Sequence, residues 1–107
     1  MPDLPEPVAA YFSSDTAADL KALGAIFTPD AIVKDEARTH RGLAAIRTWR
    51  IDTMARTPFT ARPLRVEERK GRVVVPTEVS GSFPGSPLTL EHRFTLRDGR
   101  ISALEIE

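Results

Sequence analysis

Two side chains able to move protons stand on runs whose apolar neighbours turn inward. They are Asp35, closing "AIVKD", and His92, within "LTLEHRFTL". In the second run Leu90, His92, Phe94 and Leu96 alternate onto one face of a strand, while Thr89, Glu91, Arg93 and Thr95 take the other. The apolar set must face the core, and it draws His92 inside with it. The same alternation puts Asp35 on the face of Ala31 and Val33. A carboxylate among apolar walls has its charged form disfavoured, which moves its pKa towards that of a working general base. Tyr11 shares an apolar stripe with Val8 and Phe12, and Trp49 shares one with Leu43 and Ile46. Tyrosine and histidine can donate hydrogen bonds to an oxyanion as it develops. Phe12, Val33, Trp49 and Phe94 would then line the pocket.

Each of these residues also has a plainer reading. Strands often end on aspartate, so Asp35 is either a solvated terminus or a carboxylate aimed into a cavity. Tyr11 and Trp49 are either site residues or core packing, and His92 is either a donor to a ligand or a ring satisfied by a local carbonyl. His40, in the polar run "EARTHR", reads as solvated. Glu78, on the face of Val74 and Pro76, reads as outward.

The elements that must position these groups divide the chain in two. Helical spacing runs through Val8, Tyr11 and Phe12, then breaks at "SSD", where Ser14 or Asp15 can cap a second helix. Leu20, Leu23, Ile26 and Phe27 form the stripe of that helix, and "TPD" ends it because Pro29 disfavours a helical residue before it. A short strand is expected over 31–36 and a third helix over 42–55. The second half reads as strands, "TARPLRVEER", "RVVVPTEVSGSF", "PLTLEHRFTL" and "RISALEIE", separated by the turn formers "KG", "PGS" and "DG". Pro76 lies within a valine-rich run and reads as a bulge or an unpaired edge position. The pattern predicts one α+β domain over 1–107, with a cone-like curved antiparallel sheet wrapped around a pocket closed by three N-terminal helices.

Composition narrows the chemistry. Fifteen basic and fifteen acidic residues balance, so no general field draws nucleic acid or an anionic membrane. The absence of cysteine excludes disulfides, thiolate metal sites and a cysteine nucleophile, and two histidines make a histidine-rich metal site a poor expectation. No apolar stretch approaches the roughly 20 residues of a membrane span. The opening "MPDLPEPVAA" lacks a basic segment followed by an apolar run, as a signal peptide would need. The expectation is a cytoplasmic protein.

The segment "FTPDAIVKDEARTHRGLAAIRTWR" resembles the signature of the nuclear transport factor 2-like superfamily, whose SnoaL-like and ketosteroid-isomerase branches follow "F..DA.v.D....G..aI..f". Phe27, Asp30, Ala31, Val33, Asp35, Gly42, Ala45, Ile46 and Trp49 occupy those places. "GSFPGSPLTLEHRFTLRDGRISALEI" is similar to the closing hairpin of SnoaL-like members. The resemblance implies that Asp35 matches the proton-shuttling base of ketosteroid isomerases and Tyr11 their oxyanion-hole tyrosine. His92 stands where that family has a protonated aspartate. It also implies a small apolar carbonyl compound as ligand, acid–base chemistry with neither metal nor organic cofactor, and a homodimer. Members without catalysis keep a second expectation open: a ligand-binding or assembly module whose outward face carries Thr89, Glu91, Arg93, Thr95 and Arg97.

Overall fold

The computed structural model describes residues 4–13, 20–56 and 59–107. The proposed caps Ser14 and Asp15 lie outside the described residues.

Helix α1 (Glu6–Ser13) starts at a proline-rich entry, where Pro7 can occupy the first turn without forfeiting a helical bond. It buries Val8 and Tyr11, with Phe12 packed against the same core. Helix α2 (Leu20–Ile26) passes directly into strand β1 (Phe27–Asp35). The helix therefore ends one residue earlier than its apolar stripe suggests, and the strand is longer than the expected 31–36. Phe27 leaves the helix because it pairs with Ile101 and is fully buried there. The register then shifts between Phe27 and Ile32, so Pro29 sits in an irregular stretch that demands no donor of it.

The run expected to be a polar loop holds strand β2 (Arg38–Arg41), paired antiparallel with β1. Helix α3 (Leu43–Arg56) follows. Gly42 links them: its N–H donates to the Ala31 carbonyl at 2.8 Å, its own carbonyl accepts from Ile46 N–H at 3.0 Å, and its φ is +87°. One residue thus ties the start of α3 to β1, in a conformation that side chains resist.

The later strands are β3 (Phe59–Pro63), β4 (Glu67–Arg69), β5 (Arg72–Gly81), β6 (Leu88–Arg97) and β7 (Arg100–Ile106). The single strand expected over 60–69 is two pieces, β3 and β4, both paired with β5. Pro76 explains how an inner strand tolerates proline. Its carbonyl accepts Leu64 N–H at 2.9 Å in the gap between β3 and β4, so its missing N–H faces that gap rather than a ladder. It is not an edge position, but the register changes by one residue across it, from Pro63↔Thr77 to Glu67↔Val74, so the proline does face a bulge-like irregularity.

The sheet runs β2-β1-β7-β6-β5-β3 and is curved without closing into a barrel. All neighbours are antiparallel except β1 and β7, which run parallel. No tight turn joins those two, so nothing obliges them to oppose one another. The helices cover the face carrying Phe27, Val33, Val75, Phe94, Ile101 and Leu104, and those side chains with Val8, Leu23 and Ile46 form the core. The opposite face carries charge. Arg69, Glu91, Arg93 and Glu107 form a continuous chain of ion pairs at 2.7–3.1 Å across it. Among the described residues no helix is long and apolar enough to cross a membrane.

Candidate functional site

Asp35 ends β1 where a two-residue loop, Glu36–Ala37, turns the chain into β2. Both loop residues have positive φ, 53° and 62°, the geometry that suits a hairpin's twist but is ordinarily supplied by glycine or asparagine. The register pairs Asp35 with Arg38 and Val33 with His40. Asp35 and His40 therefore lie on the face of buried Val33, towards α3.

From α3, Trp49 Nε1 donates to Asp35 Oδ2 at 3.1 Å. The tryptophan is only 7% exposed and Asp35 is partly buried. Burial is the largest influence on Asp35 and raises its pKa. The Trp49 bond opposes this, the Glu36 charge adds to it, and His40 opposes it weakly. The His40 ring lies 5.9 Å from the Trp49 ring. His40 is thus a partly buried neighbour of the carboxylate rather than a solvated loop residue. A cleft of about 310 Å³ borders Asp35 at the edge of the sheet; its lining is mostly charged and polar, with Lys34, Arg38, Thr39, Glu105 and Glu107 beside Ala37 and Ile106.

Tyr11 and His92 meet in a second cluster. Tyr11 is 8% exposed and packs edge-on against Phe12 (5.2 Å), Phe94 (5.5 Å) and Phe27 (6.1 Å). His92 is 4% exposed, 5.4 Å from Phe12, 6.2 Å from Tyr11 and stacked on Phe94 at 6.2 Å. Desolvation lowers the His92 pKa to about 4, against a weak upward pull from the Leu90 backbone, so the ring is neutral at pH 7. Its Nδ1 is buried without a hydrogen-bond partner. Phe12, Phe94, Tyr11 and His92 thus fill one region with ring-on-ring contacts, while the cleft lies at Asp35.

The two clusters communicate through Tyr11. Burial raises its pKa most strongly. Arg50 pulls it down by charge and by a side-chain hydrogen bond, while the negative charge of Asp35 raises it. The Arg50 guanidinium lies over the Tyr11 ring, 4.5 Å from its centroid. Sequence reasoning passed over Arg50, although a signal was present: it stands four residues after Ile46 and seven after Leu43, on the buried stripe of α3. Glu78 is outward as expected, held by Arg62 at 3.1 Å.

A half-open α+β cone with a carboxylate at the end of its first strand defines a recognisable class of protein. Residues 8–104 match the SnoaL-like domain family, and the chain belongs to that family. Its fold is the nuclear transport factor 2-like, ketosteroid-isomerase-like one. A crystal structure from Sinorhizobium meliloti, of a protein for which a polyketide cyclase role is suggested, is 43% identical, with a TM-score of 0.89 over 98% of this chain and 96% of that one. A Catenulispora acidiphila protein with a ketosteroid isomerase-like fold, crystallised with trimethylamine, is 22% identical, with a TM-score of 0.77 over 96% and 85%. A Jannaschia protein suggested as a SnoaL-like polyketide cyclase is 18% identical, with a TM-score of 0.74 over 95% and 82%. No protein of curated function matches the sequence.

Proposed function

We propose that this protein is a cytoplasmic SnoaL-like isomerase or cyclase for a small apolar carbonyl compound, with Asp35 as general base. The observation that carries the reading is the Asp35 carboxylate. It is partly desolvated, oriented by Trp49 at 3.1 Å and set beside a cleft. A raised pKa brings a carboxylate towards the range in which it can both take and return a proton near neutrality. Asp35 would remove a proton from the carbon beside the carbonyl, leaving an enolate, and hand the same proton back at another carbon. For Tyr11 and His92, neutral and able to donate, to face the enolate oxygen, with Phe12, Val33, Trp49 and Phe94 as apolar walls, the ring packing must part to admit the ligand, because none of these side chains lines the cleft. The 43% identical relative suggested as a polyketide cyclase supports the substrate class.

Hydrogen–deuterium exchange at the α-carbon of 2-tetralone, followed by proton NMR in deuterated buffer, tests the base directly. Wild-type protein should exceed the buffer rate and Asp35→Asn should fall to it. Equal rates in the two proteins would remove Asp35 from the role, and a wild-type rate at background would count against enolisation of such ketones.

A second reading, a non-catalytic binding or assembly module, is favoured by the ring packing of Tyr11, Phe12, His92 and Phe94, which occupies the interior with side chains. Under either reading we propose a homodimer formed through the charged outer face, where Glu91 and Arg93 alternate with Thr89 and Thr95. Light scattering at micromolar concentration should give about twice the 11.8 kDa chain mass. A clean monomer would remove the dimer.

A further inference from the structure

Arginine is rarely taken inside a protein without an acceptor for its planar fork of donors. On the outside of this molecule the rule is kept: Arg62, Arg69, Arg93 and Arg97 each hold a carboxylate at 2.7–3.1 Å. Arg50 departs from it. Its Nε is buried and has no hydrogen-bond partner, and among the described residues no carboxylate lies within ion-pairing distance of it. Asp35, the nearest acid in function, is engaged by Trp49 instead. Tyr11 compensates the cation in part, through its ring face 4.5 Å away and a hydrogen bond to its hydroxyl, but Nε is left without a partner.

A second orphan stands beside it. Thr53 Oγ1, three residues further along α3 and so on the same side of the helix, is also buried without a partner. Such groups are costly to leave unsatisfied, and native structures keep few of them. Two buried donors thus lie one helical turn apart on the same side of α3, and one belongs to a charged group. What completes them is an acceptor group with negative charge and two oxygens in a plane, which is a carboxylate.

We propose that Arg50, supported by Thr53, is the anchor for a carboxylate on the ligand, so that this protein takes an acidic carbonyl compound. The carbonyl half of that description rests on the function proposed above; the carboxylate half rests on Arg50 alone. The Arg50 guanidinium lies 4.5 Å over the Tyr11 ring, and the Asp35 charge acts on the same phenol with the opposite sign. A ligand held by its acid group at Arg50 would present its neutral part towards Asp35, where two carboxylates would otherwise repel.

The test uses a matched pair of probes, 2-naphthoate and its methyl ester, titrated into the protein by two-dimensional amide NMR at pH 7. Wild-type protein should bind the acid at least tenfold more tightly than the ester, a difference of about 1.4 kcal/mol. Arg50→Gln should erase the difference, and Arg50→Lys, which keeps the charge but loses the fork, should restore part of it. Thermal melts of each variant separate a lost anchor from a lost fold. Equal affinity for acid and ester, unchanged acid binding by a folded Arg50→Gln protein, or no binding of the acid at millimolar concentration would each overturn the proposal. Tetralone exchange is scored independently. Loss of the base reading with retained naphthoate selectivity leaves the anchor standing, and the reverse result leaves the base without it.

Discussion

Trp49 and Asp35, fourteen positions apart, are joined by one hydrogen bond of 3.1 Å that crosses from helix α3 to the end of strand β1. The bond works against the burial that raises the Asp35 pKa. Trp49→Phe removes the donor and leaves the desolvation, so the pKa of Asp35 should rise above its wild-type value. Carbon-13 NMR of the side-chain carboxyl reads this directly. An unchanged titration would mean that the bond does not tune the acid.

The same carboxylate should cost the fold stability. A raised folded pKa means that the native state holds the proton more tightly than the unfolded chain. The penalty is therefore absent below the unfolded value of about 3.9 and fully present above the folded one. Asp35→Asn, which keeps an oxygen for Trp49, should be more stable than wild type at pH 7. It should match wild type at pH 3. Urea denaturation at the two pH values measures the difference.

His92 predicts the opposite slope. Its pKa falls from 6.5 unfolded to about 4 folded, so the unfolded chain takes up a proton first as pH drops. Stability should be lost between those values, and at about 1.4 kcal/mol per pKa unit the total approaches ~3 kcal/mol. His92→Gln should remove this component of the acid sensitivity. Parallel pH profiles for the two proteins would mean that the buried ring is not the titrating group.

Phe94→Ala distinguishes a packed interior from an open one. Phe94 is fully buried and meets Tyr11, Phe12 and His92. Truncating such a side chain typically costs about 3–5 kcal/mol. A loss below about 1 kcal/mol would mean that the ring borders space rather than neighbours.

Two residues with left-handed backbone near the site, Gly42 and Ala37, should respond in opposite directions. A Cβ at Gly42 meets only the Pro29 carbonyl oxygen, 3.9 Å away, so Gly42→Ala would be strained by its φ rather than crowded. It should lose about 1 kcal/mol. Ala37→Gly relieves a φ of 62° and should gain up to about 1 kcal/mol. Thermal melts give both signs.

Alternation alone placed His92 inside and Thr89, Glu91, Arg93 and Thr95 outside, because one apolar face per strand leaves no other choice. The "KG" and "DG" turns marked the ends of β4, β5, β6 and β7 for a similar reason: glycine supplies the second positive φ each tight turn requires. Strand β2 escaped notice since its hairpin uses Glu36 and Ala37, which carry no turn signal. Phe27 was misassigned because a helix stripe and a strand start look alike for one residue. Arg50 was overlooked because a charge on a helix is usually solvated, and only tertiary packing reveals otherwise. The bond between Trp49 and Asp35 had no local signature at all.

The parallel partnership of β1 with β7 has a consequence for assembly in time. β1 is made early, yet its inner neighbour is the seventh strand, and Arg97 clasps Asp30 across 67 positions of chain to hold the same seam. Closing so wide a loop is entropically slow and is rewarded only at the end. The hairpins from β4 to β7 can zip locally first. The strand that carries the carboxylate would dock last, so any brief opening of that seam in the finished molecule would release the candidate site before the rest of the sheet.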